Sequence, residues 1–153
     1  LSTDFPARHT AAPQPEKENA MNGDLKSNVS ESFKRGLKTR REVLGDTYVD
    51  KSLNAATEYT FPMQELVTEY CWDTIWNRPG LDRRSRSILN LGMIAALGRK
   101  DELKLHVRGA LNNGITKDEL REIFMQIAIY CGVPAGIDSF RTAQEVFAEF
   151  END

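Results

Sequence analysis

The sequence predicts an all-α fold, a single-domain helical bundle preceded by a tail. Apolar residues recur at helical spacing through most of the chain. Helix-start and helix-stop residues punctuate those segments. No stretch alternates with the period of two that marks a half-buried strand, and no internal repeat is visible.

Residues 1–30 hold three of the six prolines and almost no apolar side chains. Such a segment cannot bury enough surface to offset its ordering entropy, so it reads as a flexible tail. His9 falls in it and is set aside as a catalytic candidate. The sequence opens on Leu1, which suggests a fragment, and Met21 is an alternative candidate start.

The domain, residues 31–153, begins where Phe33, Leu37, Val43 and Leu44 predict a first helix ending near Gly45. A short helix follows around Asp50 to Ala56. Thr60-Phe61-Pro62 reads as a helix start, with Thr60 as cap and proline in the first turn. Leu66, Val67, Tyr70, Cys71 and Ile75 then keep helical spacing until Asn77-Arg78-Pro79-Gly80 breaks it. Asp82 caps a helix that is apolar almost all round, through Ile88, Leu91, Met93, Ile94 and Leu97, to Gly98. Such a helix lies at the centre of a core or in an oligomer interface. The next helix runs from about Lys100 to Asn113 and stops at Gly114. Thr116 and Glu119 form a capping box ahead of Leu120, Ile123, Phe124, Ile127 and Cys131. Gly132-Val133-Pro134 interrupts, and a last helix carries Phe140, Ala143, Val146, Phe147 and Phe150.

Composition narrows the function. The chain has 153 residues, 40% of them hydrophobic, enough for one core but not two. A net charge of −3 gives no pull toward nucleic acid or an anionic membrane. No run approaches the roughly 18 apolar residues of a membrane span, and the N-terminus lacks a secretory leader pattern. Cys71 and Cys131 form no metal-binding spacing, so they read as reduced core thiols of a cytoplasmic protein.

One helix carries the most telling chemistry. His106 is the only histidine of the predicted domain, and Glu102 precedes it by four residues, one turn away on the same face. A carboxylate there raises the imidazole pKa and orients the ring for proton transfer near neutral pH. On spacing alone, a surface ion pair is the favoured explanation of the two residues. Asn112-Asn113-Gly114 closes the same helix, as a left-handed cap or as amide donors to a ligand. Arg78 and Arg83, beside Trp72 and Trp76, flank the Pro-Gly break. The arginines suit a substrate carboxylate or a solvated loop, and the tryptophans suit a core. Cys131 lacks a neighbour that would lower its pKa and reads as a buried structural thiol.

The stretches Arg78-Pro-Gly-Leu-Asp-Arg-Arg-Ser-Arg-Ser-Ile-Leu, Glu102-Leu-Lys-Leu-His106-Val-Arg-Gly-Ala-Leu-Asn-Asn-Gly114 and Tyr130-Cys-Gly-Val-Pro-Ala135 resemble the 4-carboxymuconolactone decarboxylase family. Arg41-Glu-Val-Leu-Gly-Asp-Thr-Tyr-Val does so too, and the match spans about residues 35 to 150. The resemblance implies an all-helical fold of the alkylhydroperoxidase-D-like type, assembled as a homo-trimer or homo-hexamer. It implies decarboxylation of 4-carboxymuconolactone to 3-oxoadipate enol-lactone in aromatic (protocatechuate) catabolism, by a carboxy-lyase without metal or organic cofactor. The partner expected is a small carboxylated lactone, with no nucleic acid and no membrane.

Redox members of the same superfamily carry C-x-x-C-x-x-x-H on the equivalent helix. Their cysteine positions fall on Arg99 and Glu102 here, and their upstream glutamate on Ser87. Without the dithiol no thiol–disulfide cycle of that kind can run, which disfavours an antioxidant role. A non-catalytic oligomeric binding protein is a further alternative, as is the same chemistry on a substrate of secondary metabolism, a reading that the tail's eukaryotic, fungal-like composition invites. For decarboxylation, the expected roles are His106 as proton donor, Glu102 as its orienting partner, Arg83 or Arg78 as anchor of the substrate's acid group, and Asn113 as donor to the enolate oxygen.

Overall fold

The structure is a computed structural model that describes residues 29–150. The expected tail, with His9, lies outside these residues except for its last two. Val29 packs against the core, and Ser30 caps the first helix by accepting the Phe33 amide at 3.0 Å. Seven helices and no strands make up the described residues: α1 (Glu31–Leu44), α2 (Asp46–Asn54), α3 (Phe61–Leu66, continued by a π-helical segment Val67–Ile75), α4 (Arg83–Ala96), α5 (Lys100–Asn112), α6 (Lys117–Tyr130) and α7 (Val133–Phe150). The all-α expectation holds, and no described helix is long and apolar enough to cross a membrane.

Several boundaries follow the sequence signals. Asp82 accepts the Ser85 amide at the start of α4. Thr116 and Glu119 form the reciprocal capping box of α6. The short second helix, expected around Asp50 to Ala56, instead starts at Asp46. Gly45, at φ 86, both closes α1 and opens α2, so a single left-handed residue replaces a linker. Thr60 stands at the head of α3, but its hydroxyl accepts the Thr57 amide and caps nothing in the helix.

The largest departure is the π-helical segment. Its wider turns, closed by bonds such as Trp76 N–H to Cys71 C=O at 3.0 Å, bring Thr68, Trp72 and Trp76 inward. Leu66 and Tyr70, which even helical spacing would bury, are 56% and 67% exposed. α1 packs along this segment, and at Gly36 the backbones nearly touch: a Cβ there would lie 2.0 Å from the Thr68 carbonyl oxygen.

The buried apolar side chains form two clusters where composition suggests one. Leu91, Leu103, Val107, Ile115, Leu120, Phe124 and Val146 belong to the first, among α4 to α7. Phe33, Val43, Leu44, Val49, Leu53, Trp72 and Trp76 belong to the second, among α1 to α3. α5 joins them because it is apolar on two sides. Leu103 and Val107 enter the first cluster, while Leu105 packs on the second. His106 sits on this seam.

Candidate functional site

α4 and α5 pack against each other, and the face of α4 turned to the seam interrupts its apolar pattern with Arg83, Ser87 and Asn90 at helical spacing. Each of these meets a neighbour from another element. His106 Nδ1 lies 3.5 Å from Asn90 Nδ2. Two turns further along α5, Asn113 donates to the Ser87 hydroxyl at 2.9 Å and reaches the Arg83 carbonyl at 3.5 Å. The Arg83 guanidinium pairs with Glu42 of α1 at 2.7 Å. Ser87 is thus a buried acceptor that fixes the end of α5.

The other wall is aromatic. The Trp72 ring lies parallel to the His106 imidazole, within 7° and with centroids 6.4 Å apart. Trp72 in turn stacks on Trp76 at 4.8 Å. The π-helical segment therefore buries the two indoles together in the core, with Trp72 packed beside the imidazole.

Burial dominates the electrostatics of His106. It pulls the imidazole pKa down to about 4, against the opposing pull of the Glu102 carboxylate. Spacing along the helix predicts a raised pKa. The sign of the Glu102 effect is as expected, but Glu102 is exposed and makes no hydrogen bond to the ring among the described residues, so desolvation wins. The free imidazole is neutral at pH 7.

A stability prediction follows. Unfolded His106 takes up a proton near its ordinary value of 6.5, whereas the folded chain resists protonation down to about pH 4. Below pH 6.5 the unfolded state binds more protons, so stability falls as pH drops from 6.5 to 4, by on the order of 3 kcal/mol from this residue. Urea unfolding across that window should show the loss, and His106→Gln should remove it. An unchanged slope in the variant would contradict the assignment.

The remaining expected site residues are dispersed. Arg78 is exposed after the π-helical segment. Both donor hydrogens of Asn113 have partners within the fold, which favours the cap reading for that residue; the left-handed position itself is Gly114. Cys131 is exposed, because α6 ends at Tyr130 and the chain turns away at Gly132. Cys71 is half-buried, with its thiol pKa pushed up by burial. The expectation of two core thiols is therefore corrected. Asn90, a neighbour of His106, Ser87, the partner of Asn113, and Trp72, which stacks on the imidazole, were missed. The signal for the first two was polar residues at helical spacing within an otherwise apolar helix.

Among the described residues no group of three histidine, cysteine or acidic side chains is arranged to hold a metal. Surface cavities of about 730, 320 and 260 Å³ lie elsewhere, and His106 lines none of them. In the single chain the imidazole is half-buried, with Trp72 stacked on one side and the Asn90 amide beside Nδ1.

Residues 62–145 match the carboxymuconolactone decarboxylase family. The chain is 49% identical over 113 residues to the nitrosuccinic acid decarboxylase npaB of Metarhizium robertsii, covering 74% of this chain and 79% of that protein. It is 39% identical over 122 residues to the 4-carboxymuconolactone decarboxylase of Acinetobacter baylyi, covering 80% and 91%. An uncharacterized 15.0 kDa protein of Paracoccus denitrificans is 36% identical over 80 residues, 51% of this chain and 60% of its own.

Proposed function

Because the chain belongs to the carboxymuconolactone decarboxylase family, we propose that it is a cofactor-independent carboxy-lyase for a small acid carrying two carboxylates. One carboxylate leaves as carbon dioxide and the other is kept. The observation that carries this reading is a neutral, half-buried imidazole between a tryptophan wall and an amide.

The chemistry needs no cofactor sink if the electrons left by carbon dioxide pass to a group already in the substrate. A lactone carbonyl conjugated to the ring serves in 4-carboxymuconolactone, and a nitro group on the same carbon serves in nitrosuccinate. The desolvated, apolar surroundings of His106 disfavour a charged carboxylate against the neutral carbon dioxide that it becomes. A substrate with two negative charges also raises the pKa of the imidazole it approaches. His106 then takes a proton from solvent on binding. The C–C bond to the leaving carboxylate breaks, its electron pair forms an enolate or nitronate, and His106 returns the proton to carbon. The Asn90 amide, beside the imidazole, is placed to hold the ring or to donate to the developing anion.

A second copy of the chain is the partner that closes the seam. α4 exposes Leu89, Met93 and Leu97 at 51%, 55% and 72%, a contiguous apolar stripe at spacing of four beside Asn90. That stripe suits a homo-trimer or homo-hexamer interface, and burying it would remove the site from water.

The two substrates are tested in parallel by carbon dioxide release from purified protein. The lactone is the substrate expected from sequence. The higher identity to the nitrosuccinic acid enzyme supports the nitro acid. Turnover of either at more than a thousandfold over the uncatalysed rate supports decarboxylation, and turnover of neither contradicts it.

A further inference from the structure

Four arginines make no ion pair among the described residues: Arg40, Arg78, Arg86 and Arg99. Their surroundings separate them. Arg40 is 5% exposed, and its guanidinium donates to Gln64, Thr68 and Ser52, enclosed among neutral partners of α2 and α3. Arg78 and Arg99 are exposed at turns between helices. Arg86 alone is half-buried on α4, one turn before Asn90, whose amide adjoins His106.

Arg86 is also incompletely satisfied, as is Arg40, whose Nε–H is likewise buried without a partner but whose side chain is enclosed out of a ligand's reach. The Arg86 Nη2 donates to the Arg78 carbonyl at 3.0 Å, which turns the guanidinium toward the end of the π-helical segment that carries Trp72 and Trp76. Its Nε–H is buried and has no hydrogen-bond partner. A buried orphan donor on a permanent cation is rare in a finished fold, and it asks for an anionic acceptor. Arg83, by contrast, already holds Glu42.

We propose that Arg86 anchors the carboxylate that the substrate keeps, with Nε–H and an Nη–H donating to its two oxygens. This rests on the decarboxylase reading and names the specificity determinant of the same site. A side-on guanidinium offers two parallel donors matched to a carboxylate. It would fix the substrate from the α4 side, leaving the other carboxylate free to lie near His106. Selectivity for dicarboxylic over monocarboxylic acids then comes from Arg86, because a ligand lacking the second carboxylate leaves the guanidinium unpaired.

The test is calorimetric binding of succinate and of its monoamide, succinamate, to the full-length protein. Wild type, R86M, R86K and R83M are compared, and each variant is checked by thermal melting. Wild type should bind succinate at least about tenfold more tightly than succinamate. R86M should bind the two alike, R86K should keep only part of the preference, and R83M should keep nearly all of it. A merely structural role for Arg86, through its bond to Arg78, would weaken both ligands equally and leave the preference intact. That outcome overturns the proposal, as does a wild type that binds neither ligand. Should wild type show the preference yet release no carbon dioxide from either test substrate, the anchor stands and the decarboxylase reading fails.

Discussion

His106→Gln should lower kcat for carbon dioxide release by about a thousandfold while leaving the fold intact. Positioned acid–base groups contribute about 10²–10⁴-fold, and this imidazole, once the substrate's negative charges raise its pKa, is the group proposed to take up and return the proton. Glutamine keeps the approximate size and a polar end, so packing against Trp72 survives. Glu102→Gln should cost less than about tenfold, because Glu102 is exposed and acts on the ring only through space. Steady-state kinetics on both variants, with melting curves, separate these roles. Near wild-type turnover in His106→Gln would remove the histidine from the mechanism. A loss in Glu102→Gln as deep as that in His106→Gln would restore the orienting role that spacing suggested.

The second large effect is on stability. Gly36→Ala should destabilise the chain by about 3–5 kcal/mol, enough to lower the melting temperature by roughly 10–20 °C or to prevent folding. The added Cβ would lie 2.0 Å from the Thr68 carbonyl oxygen, 2.9 Å from its carbon and 3.1 Å from the Asp73 amide nitrogen. All three are backbone atoms of the π-helical segment, so no rotamer change relieves the clash. α1 would have to part from that segment, breaking the Arg35–Asp73 ion pair at 2.8 Å and the Ser32–Asp73 hydrogen bond at 2.7 Å. Chemical denaturation measures the loss. A change below 1 kcal/mol would show that the two backbones are not in contact.

These two positions also show what was legible in the sequence. Most helix boundaries were written locally: Asp82 and Thr116 cap by side-chain contacts within three residues, and periodicity placed the cores of α4 to α7. The π-helical segment was not legible. Its sequence keeps ordinary helical spacing, and its inward face depends on a glycine thirty-odd residues away that lets α1 come close. Cys131 was misplaced for a related reason, since the pattern of α6 continued through it while the helix stopped one residue before.

The site was half legible. Motif position singled out His106, and helix geometry gave the sign of the Glu102 effect. The pKa depends on how deeply the ring is buried, which spacing along one helix does not encode. Asn90 and Arg86 belong to another helix, and only the packing of α4 on α5 brings their face to the histidine. Arg83 was plausible as an anchor until the fold supplied Glu42 as its partner.

The central claim is that His106 delivers a proton to the carbanionic carbon that the departing carbon dioxide leaves: the nitro-bearing carbon in the nitro acid, and the ring carbon beside the carbonyl in the lactone, to which the electron pair is relayed through the ring double bond. It is tested most directly by running the decarboxylation in deuterium oxide and reading the product by NMR alongside carbon dioxide release. The account predicts one deuterium per carbon dioxide, on one face only, at the carbon that lost the carboxylate in the nitro acid and at the ring carbon beside the carbonyl in the lactone, with His106→Gln abolishing both carbon dioxide release and labelling. Carbon dioxide release with deuterium on both faces at random, unchanged in His106→Gln, would contradict it.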